Sequence, residues 1–163
     1  MSDKTFKASA ISAKKPWRTP DFNPNVKNDS FTPYIITSES AFLKDKDFFD
    51  IKDFAINNAV STFPEEITSQ KERDAYRHIL WSGMLANKYG QASARLMGKL
   101  HESKLPFVGS PMQSEAENKM DLYNNELGLS LGSKVKSIDE LREEAKNIIL
   151  SNRAKLDAKP GTY

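Results

Sequence analysis

The residue types that could perform chemistry concentrate in one stretch of the chain. Both histidines, His78 and His101, fall there, with acidic side chains nearby at Glu102 and Asp121. The helical pattern is strong in this stretch and predicts that these groups point inward. A buried polar or ionisable side chain is costly unless it has a partner, so these groups should pair with one another, with a ligand or with a metal ion. Residues 69–128 are therefore the candidate site region.

Helical spacing indicates which of these side chains meet. Residues three, four or seven apart lie on one face of a helix. His78 shares a face with Asp74 and Trp81. Glycines on the following helices would allow a neighbouring helix to approach closely. We predict that His78, His101 and Asp121 lie in one core cluster, in contact directly or through one ion or water molecule. The full set expected near one another is His78, His101, Glu102, Asp121 and Asn125.

Three chemistries fit these residue types. A carboxylate could orient a histidine that takes a proton from water. His78, His101 and Asp121 could bind a divalent metal ion, with Glu102 as ligand or base. An arginine could hold a phosphate or carboxylate group. The predicted catalytic residues are His78, His101, Glu102 and Asp121, and the predicted binding residues are Arg73, Arg77, Trp81, Asn124 and Asn125, with one asparagine stabilising an anion.

A structural interpretation competes with all three. Buried polar networks also set the register of packed helices without catalysing a reaction. Arg77 and Glu102 could form an ordinary ion pair, and Asn124 and Asn125 could cap backbone groups. Core packing is also the commoner role for a residue such as Trp81. The residue types alone leave these interpretations open.

Composition excludes several classes of protein. The 163 residues carry 24 basic and 22 acidic side chains, which gives a net charge of +2. The two signs are well mixed, so the chain lacks the basic stripe of a nucleic-acid-binding protein. The absence of cysteine excludes disulfides, a thiol nucleophile and cysteine-ligated zinc. The N-terminus lacks the apolar segment of a Sec signal peptide. The longest uncharged run has 11 residues, against about 20 for a membrane-spanning helix, although insertion after refolding stays open.

The pattern of elements predicts a mainly α, compact domain of about five helices. Residues 1–40, which hold four of the eight prolines, are expected to form an extended arm packed on a single helical domain at 41–163. Serines followed three residues later by glutamate predict three helix starts. The predicted helices cover residues 51–62, 70–89, 91–103, 115–128 and 138–156.

The order of motifs resembles a bacterial domain family of uncharacterised function. The series consists of Arg77-His78-x-x-Trp81, His101-Glu102 and Asp121-x-x-Asn124-Asn125. Members of that family often occur in toxin-like or secreted contexts. The resemblance covers about residues 70–130 and implies a shared helical core. The whole chain is more loosely similar to small antibacterial effectors of type VI secretion systems.

These observations predict a toxin-like effector that acts on the envelope of a target cell. The first hypothesis is a hydrolase, with a divalent metal ion as its candidate cofactor. The second is a non-enzymatic, membrane-active effector that forms pores and depolarises its target, with a structural polar cluster. Either would be cytoplasmic in the producing cell and secreted without a Sec signal. The expected partners are a cognate immunity protein, a secretion-machinery carrier and the target-cell envelope, with no nucleic acid.

Overall fold

A computed structural model describes residue 20 and residues 46–65, 67–102 and 114–157. Helices and short connections make up these ranges, which contain no strand, so the mainly α prediction is confirmed. The arm predicted at 1–40 lies outside the described residues except for Pro20, which is buried. The helices are α1 (Lys46–Thr62), α2 (Gln70–Tyr89), α3 (Gln91–Glu102), α4 (Glu115–Gly132) and α5 (Ile138–Leu150).

Serine caps begin three of these helices at the predicted positions. The Ser69 hydroxyl accepts the Glu72 N–H at the start of α2, while the Glu72 carboxylate accepts the Ser69 N–H at 2.8 Å. Ser114 and Glu117 form the same reciprocal pair at the start of α4. Each pair satisfies two N–H groups that the first helical turn leaves without partners. The α5 cap is simpler, a serine hydroxyl that accepts one backbone N–H.

Gly90 turns the chain from α2 directly into α3. Its φ of 81° lies in the region that side chains other than glycine rarely adopt. Its N–H donates to the Ala86 carbonyl, and its own carbonyl accepts the Ala94 N–H at 3.0 Å. One residue therefore ends one helix and begins the next, which places the end of α3 close to α2.

α2 is the central helix of the fold and contacts the other four. Its buried side chains point in every direction around the axis, and the core residues of the remaining helices pack around them. Phe63, just after α1, packs edge-on against Tyr76 with ring centroids 5.2 Å apart. Phe48 of α1 packs similarly against Trp81 at 6.1 Å. His78 and Trp81, the buried candidate site residues of α2, are therefore held by packing.

Glycines bring α2 and α4 into backbone contact. A Cβ at Gly128 would overlap the Ile79 carbonyl and the Ser82 hydroxyl, and a Cβ at Gly132 would overlap the Gly83 carbonyl. The two backbones are therefore closer than any side chain between them would allow. This contact places the polar residues of α4 against those of α2.

Three predicted helix boundaries were wrong. α4 continues past Gly128 to Gly132, because Gly128 is a packing contact inside the helix and not its end. α5 ends at Leu150 and not near residue 156, because Asn152 adopts a left-handed φ of 56° and the Arg153 N–H then donates to the Ile148 carbonyl. α1 begins at residue 46, five residues before the predicted start.

Among the described residues, no helix combines the length and the apolar character that crossing a membrane requires.

The contact between α2 and α4 predicts a large cost for Gly128→Ala. The new Cβ would meet a backbone carbonyl that cannot move independently, so we expect a loss of about 3 kcal/mol in the free energy of unfolding. Gly98→Ala is the matched control. Its Cβ would meet only the Asn125 amide at 3.5 Å, and alanine has the higher helix propensity, so stability should hold or rise by up to about 1 kcal/mol. Urea denaturation of both variants tests this, and equal losses would contradict it.

Candidate active site

His78 lies on α2, and Asn125 of α4 sets the orientation of its ring. The residue is only 2% exposed. Its Nδ1 and the Asn125 Oδ1 atom are 3.1 Å apart. Because a carbonyl oxygen can only accept, Nδ1 carries the proton and donates, and the lone pair of the neutral ring lies on Nε2.

Two carboxylates face this Nε2 atom. The Asp121 Oδ1 atom on α4 is 3.5 Å from it, and the Asp74 Oδ2 atom, one turn earlier on α2, is 3.8 Å away. One ligand atom from each of the three residues lies within 4.8 Å of the other two. An imidazole nitrogen and two carboxylate oxygens are donors that Zn²⁺, Mn²⁺ and Fe²⁺ accept. We call Asp74, His78 and Asp121 the acid–histidine triad.

The Arg77 guanidinium lies against two members of this triad. Its Nη2 atom donates to the Asp74 Oδ1 atom at 2.5 Å and is 2.9 Å from the His78 Nε2 atom. A cation that used the Nε2 lone pair would therefore have to replace Arg77 at that atom. The Arg77 side chain is 31% exposed, which leaves it free to move toward solvent.

Burial keeps His78 neutral. Loss of water around the ring, followed by the positive charge of Arg77, lowers the His78 pKa to about 3, although Asp74 and the Asn125 hydrogen bond oppose the change. The imidazole is therefore unprotonated throughout the physiological pH range. A neutral ring is the form that can bind a metal ion or accept a proton.

A small open pocket adjoins the triad, and His78 forms part of its wall. The rings of Trp81 and His101 pack at a centroid distance of 5.0 Å. Partial burial, followed by the positive charges of Lys52 and Arg77, lowers the His101 pKa to about 4. The lining residues are Lys52, Ala55, Ile56, Arg77, His78, Trp81 and His101.

The structure brings most of the predicted site residues to this place. His78, Asp121, Asn125 and Arg77 form one connected polar cluster, and Trp81 and His101 line the adjoining pocket. The side chain of Glu102 lies outside the described residues. Asp74 was recognised as sharing a face with His78 but was not predicted as a site residue.

His101 does not lie where the sequence predicted. We predicted one core cluster of His78, His101 and Asp121, but His101 is exposed at the edge of the pocket that His78 also lines, and Asp74 is the third member of the triad. Asp74 precedes His78 by four residues and so shares its face of α2. The His101 ring instead packs on Trp81, one turn beyond His78.

Two other predicted binding residues make contacts elsewhere. Arg73 pairs with the Glu65 carboxylate at 2.9 Å. The Asn124 amide donates to the Lys155 carbonyl at 2.8 Å and accepts the Lys155 N–H at 2.9 Å, which attaches the segment after α5 to α4. The pocket residue Lys52 was missed, because it lies on α1 and no spacing rule connects α1 with the site region.

Comparison with known proteins identifies a family without an assigned activity. The chain belongs to the family described as Domain of unknown function (DUF6973), which it matches over residues 37–156. That span contains the acid–histidine triad and the pocket. No curated protein and no solved structure matches the chain.

Acid should destabilise the fold through His78. Its folded-state pKa of about 3 is below the ordinary value of 6.5, so the unfolded chain is protonated first as the pH falls. The stability that this group contributes is therefore complete above about pH 6.5 and is lost progressively as the pH falls toward 3. We expect urea midpoints, measured with a chelator present, to fall over this window more steeply in the wild type than in His78→Gln. Parallel curves would contradict the assignment.

Proposed function

We propose that this protein is a metal-dependent hydrolase in which Asp74, His78 and Asp121 bind a divalent cation. One observation carries the proposal: a neutral, buried Nε2 atom and two carboxylate oxygens lie within 4.8 Å of one another beside a pocket. A divalent cation supplies Lewis acidity, which lowers the pKa of a coordinated water molecule and polarises the bond under attack.

The surrounding residues have defined roles in this proposal. Asn125 accepts from Nδ1 and so holds the tautomer that presents Nε2, as hydrogen-bond partners of metal-binding histidines usually do. Asp74 is the half-exposed ligand and opens the triad to solvent, so solvent water can take the proton that the attacking water loses. Arg77 pairs with Asp74 and His78, and it would have to leave the Nε2 atom for a cation to bind there.

A cluster that only sets helix register is the competing interpretation. Such a cluster needs its polar groups paired, and the contacts of Arg77 with Asp74 and His78 serve that purpose. It does not require a metal-ligand donor set that adjoins a pocket. The two interpretations differ in whether the folded protein binds a cation at this position.

The biological setting is a further proposal, which rests on the order of the sequence motifs alone. We propose a toxin-like effector that is delivered without a Sec signal, acts on the envelope of a target cell and has a cognate immunity protein and a secretion carrier. The membrane-active alternative differs from the metal-dependent hydrolase, because pore formation needs neither a bound cation nor the acid–histidine triad.

Metal binding tests the triad directly. We expect the wild type to bind one Mn²⁺ per chain, measured by electron paramagnetic resonance and calorimetry in phosphate-free buffer. Asp121→Asn preserves shape but removes a charged ligand, and we expect it to weaken binding by at least about 100-fold. Asp139→Asn is the control, because that carboxylate is 81% exposed on α5. A wild type without cation binding, or equal affinities in all three proteins, would contradict the proposal.

The two adjacent asparagines separate positioning of the ligand from folding. Asn125→Ala removes the partner of His78 Nδ1 and should weaken Mn²⁺ binding by about 10–100-fold. Asn124→Ala removes both partners of the Lys155 backbone and should cost about 1–3 kcal/mol of stability with unchanged Mn²⁺ affinity. Identical effects of the two substitutions on Mn²⁺ affinity would show that neither residue positions a ligand.

Toxicity and membrane leakage separate the two effector hypotheses. We expect growth arrest when the wild type is directed to the periplasm of a bacterial host, and none with Asp121→Asn at equal folded abundance. Dye-loaded liposomes should stay intact with either protein. Growth arrest by both proteins, together with dye release that a chelator does not prevent, would favour the membrane-active alternative over the hydrolase.

A further inference from the structure

We propose that the pocket beside the acid–histidine triad binds a phosphoryl group, so that the substrate of the proposed hydrolase is a phosphoester. This inference deepens the proposed function and depends on it for the reaction. The binding of the anion can be tested without the metal ion.

The charges around the pocket are cationic. Lys52 from α1 and Arg77 from α2 both line it, and the described lining residues include no carboxylate. Lys52 also has no ion-pair partner in the part of the chain that the structure describes. Burial makes the largest contribution to the lowered His101 pKa, and the positive charges of Lys52 and Arg77 add to it. An anionic group is the complement of such a site.

The pocket has enough hydrogen-bond donors for an anion with more than two oxygen atoms. Lys52, Arg77 and His101 come from three different helices, α1, α2 and α3. In addition, the Trp81 indole N–H is buried without an acceptor among the described residues. A carboxylate offers two oxygens in one plane, whereas a phosphoryl group offers three non-bridging oxygens in different directions. Donors on three different helices that line one pocket therefore favour the phosphoryl group over a carboxylate.

Arg77 connects the pocket to the triad. It lines the pocket and also contacts the Nε2 atom that a cation would use. Its Nε and Nη2 atoms make the contacts with Asp74 and His78, so its Nη1 group can donate to a phosphoryl oxygen in the pocket without a cation. The Ala55 and Ile56 side chains add an apolar wall for a non-ionic part of the substrate.

The reaction is a hydrolysis and needs no further co-reactant. The water oxygen forms a new bond to phosphorus, and the bond from phosphorus to the alcohol oxygen breaks. The proton that water loses passes to solvent, and solvent supplies the proton that the departing alcohol oxygen takes. The products are an alcohol and a phosphate that carries one ester group fewer.

The first test uses chelator-treated protein and inorganic phosphate. We expect the His101 ring and Trp81 indole resonances to shift saturably in nuclear magnetic resonance spectra, and the His101 pKa to rise as the bound anion offsets its cationic neighbours. Lys52→Ala should weaken phosphate binding by roughly 10-fold, because it removes one charged donor. Lys146→Ala on α5 makes the same charge change away from the pocket and should leave the affinity unchanged.

The experiments give different results if the phosphoryl-site proposal is wrong and if the metal-site proposal is wrong. Mn²⁺ binding without saturable phosphate shifts, or equal losses in the two lysine variants, overturns the phosphoryl site and leaves the metal proposal standing. Phosphate binding that requires Lys52, in a protein that binds no Mn²⁺, supports the anion site and overturns the metal-dependent hydrolysis of a phosphoester.

The second test identifies the source of the phosphoryl group. With Mn²⁺ restored, bis(p-nitrophenyl) phosphate represents a soluble phosphodiester, and phosphatidylglycerol vesicles represent a lipid headgroup. Hydrolysis of either one that depends on both Lys52 and Asp121 supports the proposal and names the source. Hydrolysis of p-nitrophenyl acetate with neither phosphoester cleaved would overturn it.

Discussion

The backbone contact between α2 and α4 is the constraint on which the arrangement around His78 depends. Gly128 and Gly132 leave no side chain between the two helices, so their axes approach closely and Asn125 reaches the imidazole. A wider separation would leave His78 and Asp121 buried without each other, at the cost that burial imposes on polar groups. The apolar packing and the polar cluster are therefore parts of the same helix contact.

Burial at this contact also determines which chemistry His78 can perform. An exposed imidazole is partly protonated near neutral pH, but this ring stays neutral, because the surrounding protein disfavours its charged form. Asn125 then determines which nitrogen presents a lone pair. A neutral ring of known tautomer is what a metal centre and a general base both require, so the structure alone supports either chemistry and the carboxylates favour the metal.

His78 belongs to the acid–histidine triad and also lines the pocket. The triad holds the carboxylates of Asp74 and Asp121, whereas the charged residues that line the pocket are Lys52 and Arg77. Arg77 connects the two, since it pairs with Asp74 and lines the pocket. A cation beside an anion-binding pocket is the general layout of sites that act on phosphoesters. The two proposals therefore describe adjoining halves of one site, and each rests on its own contacts.

The sequence by itself determined the helical class, the serine-capped helix starts and the position of His78 in the site, because these depend on local spacing and hydrogen bonds. Only the tertiary structure decided what distant residues contribute. The sequence around Gly128 predicts a helix end, and only the contact with α2 shows that this glycine lies inside the helix. No local pattern in the sequence connects Lys52 with His78. Asn124 and Asn125 are neighbours of the same type, yet about 100° of helical rotation directs one to Lys155 and the other to His78. The contact that each asparagine makes depends on which part of the chain packs against its face of α4, and the local sequence does not determine this packing.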